Sequence, residues 1–417
     1  VENKLFRRDF SLVVAGQIIS ILGSAVLRFA LNLYILDMTG RADIFGILIA
    51  ISAIPAILFT PLGGAIADRF NRRNLMVIFD FSASAVVIVL LILLILQGGG
   101  YLPVVVIGVF LVVLSMISSM YQPAVQASVP VLVCEEKLAS GNGIVTGVGA
   151  LSGLLGPVLG GVLYGIVGLN ALVTASCAAF FLSAVMEMFI RMPFAKPGRD
   201  KSMALTIIDD MKLGLRYVVR EKPTILKLII LAAALNLFMS PLFIVGVPYI
   251  LRITLNSSEG MYGIGMGILE LSSIIGAILT GAVTKKLRLS DIYRLLLVAS
   301  VLILPIALSV TPVILGFGYW QSFAMMIFFS ALVTALATML SVFVITVVQK
   351  VTPNEILGKV MGIIMAVAGC AAPLGMALYG FAFEQFSNAI YIPVLAACVF
   401  TIGISFTAKI CLKGAEV

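Results

Sequence analysis

An all-α membrane protein with twelve transmembrane helices is predicted by three observations. Hydrophobic residues make up 61% of the 417 positions and charged residues only 11%. Apolar runs of roughly 20 residues recur along the whole chain, each long enough to cross a hydrocarbon core of about 30 Å as a helix. Those runs lack the two-residue alternation of a transmembrane barrel, leaving an α-helical bundle. A mean hydropathy of +1.19 excludes a water-soluble chain of this length.

The spans are placed at 10–36, 44–67, 74–96, 102–133, 137–167, 169–191, 224–251, 258–284, 290–311, 319–350, 355–383 and 387–411. The first run leads straight into a second and lacks a small-residue cleavage site, so it is expected to be a span rather than a cleaved leader. Of the 27 basic residues only Arg28, Arg41 and Arg252 fall in or near the outer half. The rest, among them Arg7, Arg8, Arg69, Arg72, Arg73, Arg191, Lys285, Lys286 and Lys409, gather at the inner ends and loops. This asymmetry puts both termini in the cytoplasm and accounts for the net charge of +8 without nucleic acid as a partner.

Residues 192–223 break the apolar rhythm with Met192-Pro193-Phe194-Ala195-Lys196-Pro197-Gly198, dividing the chain into 1–191, a linker, and 224–417. Within the linker, Ile208, Met211, Leu215 and Val218 recur at helical spacing opposite Asp209, Lys212, Arg216 and Arg220. That pattern fits an amphipathic helix on the inner membrane surface or an ordinary surface helix. The flanking halves echo each other. Gly64 before Asp68-Arg69 matches Gly281 before Lys285-Lys286 at an offset of 217, Glu136 with Gly143 matches Glu355 with Gly362 at 219, and Pro157 with Tyr164-Gly165 matches Pro373 with Tyr379-Gly380 at 216 or 215. Duplicated six-helix halves point to a transporter with substrate bound near the midplane.

The five cysteines, Cys134, Cys177, Cys370, Cys398 and Cys411, lie in or beside apolar segments without paired spacing and read as free, buried thiols. Histidine is absent, which removes the commonest metal ligand and proton shuttle, so proton coupling would rest on carboxylates. Neither a cofactor nor a metal is expected.

Ionisable groups inside spans are the default functional candidates. Gln17, Ser24, Arg28 and Asn32 form one polar stripe on span one. Arg28 either binds an anionic or carbonyl-rich substrate group or pairs with a carboxylate of another span. Glu270, with Met266 on its face, is either a proton carrier or that partner. Asp80 lies close in sequence to the loop at 68–73 and is assigned to it, while Glu187 is assigned to Arg191 one helical turn later. Tyr121, Gln122 and Gln126 on span four and Asn236 on span seven complete the candidate path, with Tyr34, Phe238, Met239 and Phe243 as apolar lining.

Two motifs carry a resemblance. Gly64-Ala65-Ile66-Ala67-Asp68-Arg69-Phe70-Asn71-Arg72-Arg73 resembles the loop signature of the major facilitator superfamily, with Gly64, Asp68, Arg69, Arg72 and Arg73 in register and Asn71 in place of glycine. Asn71 is expected to supply the left-handed backbone of a tight turn, and Gly64 a close helix approach. The resemblance implies a conformational latch formed by these residues and Asp80. Gly143, followed by Gly156-Pro157-Val158-Leu159-Gly160-Gly161, is similar to the exporter motif of the same superfamily; a generic small-residue packing face is the alternative. Gly214-Leu215-Arg216-Tyr217-Val218-Val219-Arg220 and Ala30 to Gly40 resemble the bacterial macrolide-efflux branch of drug/proton antiporters. Leucine stands at 114, where such antiporters often carry arginine.

The resemblance implies two pseudo-symmetric six-helix bundles with the major facilitator fold. It also implies a monomer in the bacterial cytoplasmic membrane, surrounded by lipid and exporting an amphipathic small molecule against protons. A lipid or lysophospholipid flippase on the same fold is the alternative. A membrane enzyme or receptor-like assembly factor is the remaining reading, disfavoured because no nucleophile stands beside a base and no soluble catalytic domain is visible.

Overall fold

A computed structural model describes residues 7–97, 102–192, 212–283 and 289–412. Its elements are helices: α1 Arg8–Thr39, α2 Ala42–Arg69, α3 Arg72–Leu96, α4 Val104–Leu132, then one apolar stretch Leu138–Met188, followed by α7 Pro223–Thr254, α8 Glu259–Val283, α9 Ile292–Ser309, α10 Tyr319–Val351, α11 Asn354–Gln385 and α12 Tyr391–Cys411. The stretch Leu138–Met188 has 51 residues, too long for one crossing, and it turns at Gly168, whose φ of 76° is open to a residue without Cβ. It therefore comprises α5 (138–167) and α6 (169–188), and the twelve expected spans are present.

Burial is inverted relative to a soluble protein. Ile278, Leu96 and Ile410 are 70%, 76% and 76% exposed, whereas Gln17 and Glu187 are fully buried. Lipid is the medium in which that arrangement has low energy, because exposed side chains meet hydrocarbon and polar ones must find partners inside.

The described residues fall into two compact units, one within Val1–Met38, Ile51–Asp200 and Ser258–Gly267, the other within Thr39–Ala50, Lys201–Ser257 and Ile268–Val417. The first packs Phe10, Val13, Met76, Val125, Val129 and Val145 into a core, the second Ile225, Leu228, Ile292, Leu296, Phe343 and Val360. Each repeats one polar contact. Ser84 Oγ on α3 donates to Cys177 O on α6 at 3.3 Å, and Cys398 Sγ on α12 donates to Ser300 O on α9 at 3.1 Å. The five cysteines are free, but only Cys398 is buried; Cys134 and Cys370 are exposed, contrary to the expectation of burial.

Two helix crossings obey the same repeat. In the second unit α2 meets α11: a Cβ on Gly46 would lie 2.6 Å from Met376 O, and one on Gly380 2.7 Å from Ala42 O. In the first, α5 meets α8: a Cβ on Gly161 would lie 2.5 Å from Glu259 O, and one on Gly263 2.5 Å from Pro157 O. Gly263 lies 217 positions beyond Gly46 and Gly380 lies 219 beyond Gly161, the offsets found in the sequence. Glu384 closes the α2–α11 crossing by accepting from Ala42 N at 3.0 Å, one of the donors a helix start leaves open.

In the exporter-like motif Gly156, Gly160 and Gly161 are closely packed and Gly143 is not. Gly156 abuts Ala25 and Gly160 abuts Phe29 of α1, Gly161 meets Gly263, and Gly143 has no described atom within 4 Å of its would-be Cβ. Of the linker, 193–211, including Ile208, Asp209 and Met211, lies outside the described residues, as do Lys285 and Lys286. From Lys212 the linker is helical; Gly214 packs on Lys359, Tyr217 and Val218 are buried, and Leu215, expected on the apolar face, is exposed.

Adding a methyl at either crossing forces backbone apart. Gly161→Ala and Gly380→Ala are expected to destabilise by about 1–3 kcal/mol. Gly143→Ala, placed in open space, is expected to be neutral or stabilising by up to about 1 kcal/mol through helix propensity. Thermal unfolding in detergent checks the contrast.

Candidate functional site

The turn between α2 and α3 is built differently from expectation. Asn71 has φ −64° and ψ 114°, ordinary extended backbone, and its side chain accepts from Arg73 N at 3.1 Å. It is the N-cap of α3, satisfying one of the open donors of that helix, and needs no left-handed backbone. Gly64 has no described atom within 4 Å of its would-be Cβ; the close approach belongs to Gly63, which lies against Met120 of α4. Arg72 Nε donates to Ala67 O at 3.2 Å, and Arg73 Nη2 donates to Met188 O at the end of α6. The turn is thereby tied to α6. The side chain of Asp68 lies outside the described residues.

Asp80 does not join the turn. Two helical turns into α3 it faces the bundle interior, 2% exposed, and its Oδ1 accepts from Ser20 Oγ of α1 at 2.7 Å. Glu187 likewise leaves Arg191. Helix α6 ends at Met188, so the i,i+4 spacing does not apply, and Arg191 N instead donates to Asp9 Oδ1 at 3.0 Å. The fully buried Glu187 accepts at Oε1 from Tyr121 Oη of α4 at 2.8 Å. Gln17, also fully buried, donates from Nε2 to Val145 O of α5 at 3.1 Å. Ser183 Oγ donates to Gly16 O at 2.9 Å and lies beside both Asp80 and Tyr121.

Arg28, Asp80, Tyr121, Gln122, Ser24 and Ser152 line a cavity of about 320 Å³ within the first unit, at the small end of ligand pockets. Arg28 is its cation. Among the described residues its Nη2 donates to Leu114 O at 3.5 Å, Nε has no partner and no ion pair forms. The guanidinium from α1 therefore reaches the turn of α4 at Leu114.

The other candidates are not gathered here. Asn32 and Met266 are partly buried in the first unit, outside this cavity, and Gln126 is exposed. Asn236 and Glu270 belong to the second unit, where Asn236 Nδ2 donates to Ala232 O at 3.0 Å and Glu270 is exposed. No group of three or more acidic or cysteine side chains suited to a metal occurs among the described residues. Sequence distance misplaces Asp80 and Glu187; the signal that finds them is a carboxylate inside an apolar run.

Ser20→Ala would leave Asp80 Oδ1 without its donor. A loss of about 1–2 kcal/mol is expected in denaturant unfolding. Ser118→Ala, which removes only a bond to Leu114 O one turn back in its own helix, should stay within about 0.5 kcal/mol.

Known proteins share this architecture. The family model of the Major Facilitator Superfamily matches residues 13–320. Macrolide efflux protein A of Streptococcus pyogenes is 24% identical over 383 residues, covering 89% of each chain, and the uncharacterised MFS-type transporter YfiS of Bacillus subtilis is 28% identical over 391 residues, covering 90% of this chain and 88% of that one. The crystal structure of the nucleoside transporter NupG superposes with a TM-score of 0.73 at 10% identity, over 97% of this chain and 99% of that one. An integral membrane chain with twelve spans among its described residues and this match is a transporter and not an enzyme, and it belongs to the Major Facilitator Superfamily.

Proposed function

We propose that the chain exports amphipathic, drug-like small molecules in exchange for protons, by alternating access, across a bacterial cytoplasmic membrane with both termini inside. The observation that carries this reading is the cavity in which Arg28, a cation without a carboxylate partner among the described residues, stands with Asp80, Tyr121 and Gln122 amid apolar walls. A desolvated guanidinium is a strong donor for carbonyl or carboxylate oxygens, and the apolar remainder suits the hydrocarbon face of an amphipath. The efflux function named for the Streptococcus pyogenes relative supports the direction of transport, and the packed glycine face of α5 supports a helix able to shift against α1 and α8. Protons are the proposed counter-substrate because the chain has no histidine and buries carboxylates instead. The latch reading of the Asp68 to Arg73 turn rests on its bond to the end of α6.

A ligand thermal-shift screen of purified protein tests it. A macrolide or other amphipath at 100 times its Kd should stabilise the parent by about 2.7 kcal/mol and leave Arg28→Ala unshifted. Equal shifts in both proteins would remove Arg28 from the substrate site.

A further inference from the structure

The cluster behind the Arg28 cavity has an unbalanced hydrogen-bond inventory. Among the described residues two buried carboxyl oxygens in it have no partner, Asp80 Oδ2 and Glu187 Oε2, and neither does Gln17 Oε1 on α1. All three are acceptors. Among the described residues the hydroxyl donors around them are engaged, Ser20 Oγ with Asp80 Oδ1, Tyr121 Oη with Glu187 Oε1 and Ser183 Oγ with Gly16 O, and Gln17 Nε2 gives one of its two N–H bonds to Val145 O. Such a cluster lacks donors, and a buried acceptor left without one costs about 1–3 kcal/mol.

Among the described residues no basic side chain is bonded to Asp80 or Glu187, whose partners are Ser20 and Tyr121. From α1 the nearest charge is Arg28, two turns beyond Ser20, turned to Leu114 O; Arg8 and Asp9 stand at the helix start and Asp37 at its far end. From α3, Arg72 and Arg73 are bonded to Ala67 O and Met188 O. Helix α4 offers Tyr121 and no charge, α5 carries no charged side chain between Leu138 and Gly168, and α6 carries only Glu187, with Arg191 beyond its end. Two neighbouring carboxylates without a cation cannot both remain ionised in such surroundings. Each proton taken up (carboxylate plus H⁺ giving carboxyl) turns an orphan acceptor into the missing donor and removes a buried charge.

We propose that Asp80 and Glu187 together are the proton-binding site of this transporter. The role rests on the proton-exchange reading above; the occupancy of the pair does not. Its place suits coupling, because Asp80 also lines the Arg28 cavity and Glu187 precedes Met188, the residue held by Arg73. One member of the pair lines the cavity, and the other stands one residue before Met188, where the turn is tied to α6.

Infrared difference spectroscopy of the full chain in phosphatidylethanolamine/phosphatidylglycerol nanodiscs reads protonated carboxyls directly. The parent should show two C=O stretching components that a pH titration removes; Asp80→Asn and Glu187→Gln should each delete one, and Glu270→Gln neither. A band untouched by both substitutions would overturn the proposal. So would loss of the parent band at fixed pH when sodium replaces choline, which marks a sodium site. If either variant fails to fold, Tyr121→Phe keeps both carboxyls and should shift the Glu187 component by removing its donor; an unshifted band would count against the site. Efflux that ignores a pH gradient while the two components behave as expected would refute proton exchange and leave the carboxyl pair standing.

Discussion

Hydrocarbon offers no hydrogen bonds, and that single constraint organises this chain. Backbone groups are satisfied inside helices, apolar side chains face outward, and any polar side chain within a span needs a partner on a neighbouring helix. The first unit meets the demand by joining α1, α3, α4, α5 and α6 through Ser20–Asp80, Tyr121–Glu187 and Gln17–Val145. Among the described residues of this unit Arg28 Nε, Arg73 Nε and three carboxyl or amide oxygens go unmatched, and Arg28 and Asp80 line one cavity. Retaining unsatisfied polar groups in such a medium is costly unless they bind something, which is why they define the site.

Close helix approach is the second element. The α2–α11 and α5–α8 crossings bring backbone against backbone at glycine pairs, and a Cβ fits at none of the four positions. The two crossings are related by the offsets of the sequence repeat, so the same packing solution is present twice. The exporter-like run on α5 gains a physical meaning from this: its small residues are the surface on which α1 and α8 rest.

Much of the fold is legible in the sequence because hydropathy acts on whole segments. Twelve spans, the repeat and the free cysteines follow from apolar run length and spacing, and Gly168 divides the long run where the sequence calls for two spans. Side-chain partnerships are less legible, since nearness in sequence is a poor guide to nearness in space. Asp80 is adjacent in sequence to the charged turn and Glu187 stands four residues before Arg191, yet helical phase turns Asp80 inward and the end of α6 at Met188 removes the register Glu187 would require. Asn71, at the position of a glycine in the motif, caps α3 with its side chain; the close approach falls one residue before Gly64, at Gly63. Arg28, Tyr121 and Gln122 line one cavity because a polar residue on an otherwise apolar helix has few places to go.

The site, the turn and the packing face form one connected structure in the first unit. Arg73 holds the end of α6, α6 carries Glu187, Glu187 meets Tyr121 on the cavity wall, and the α5 glycines abut the α1 turns beyond Ser20. A change of charge at the carboxyl pair would be felt along that line. The direct test is transport in proteoliposomes enclosing a pH-sensitive dye, with a macrolide outside and an imposed pH gradient. Macrolide accumulation accompanied by counterflow of protons, both lost in Asp80→Asn, is the predicted result; accumulation at the same rate without a gradient and without proton movement would contradict the account.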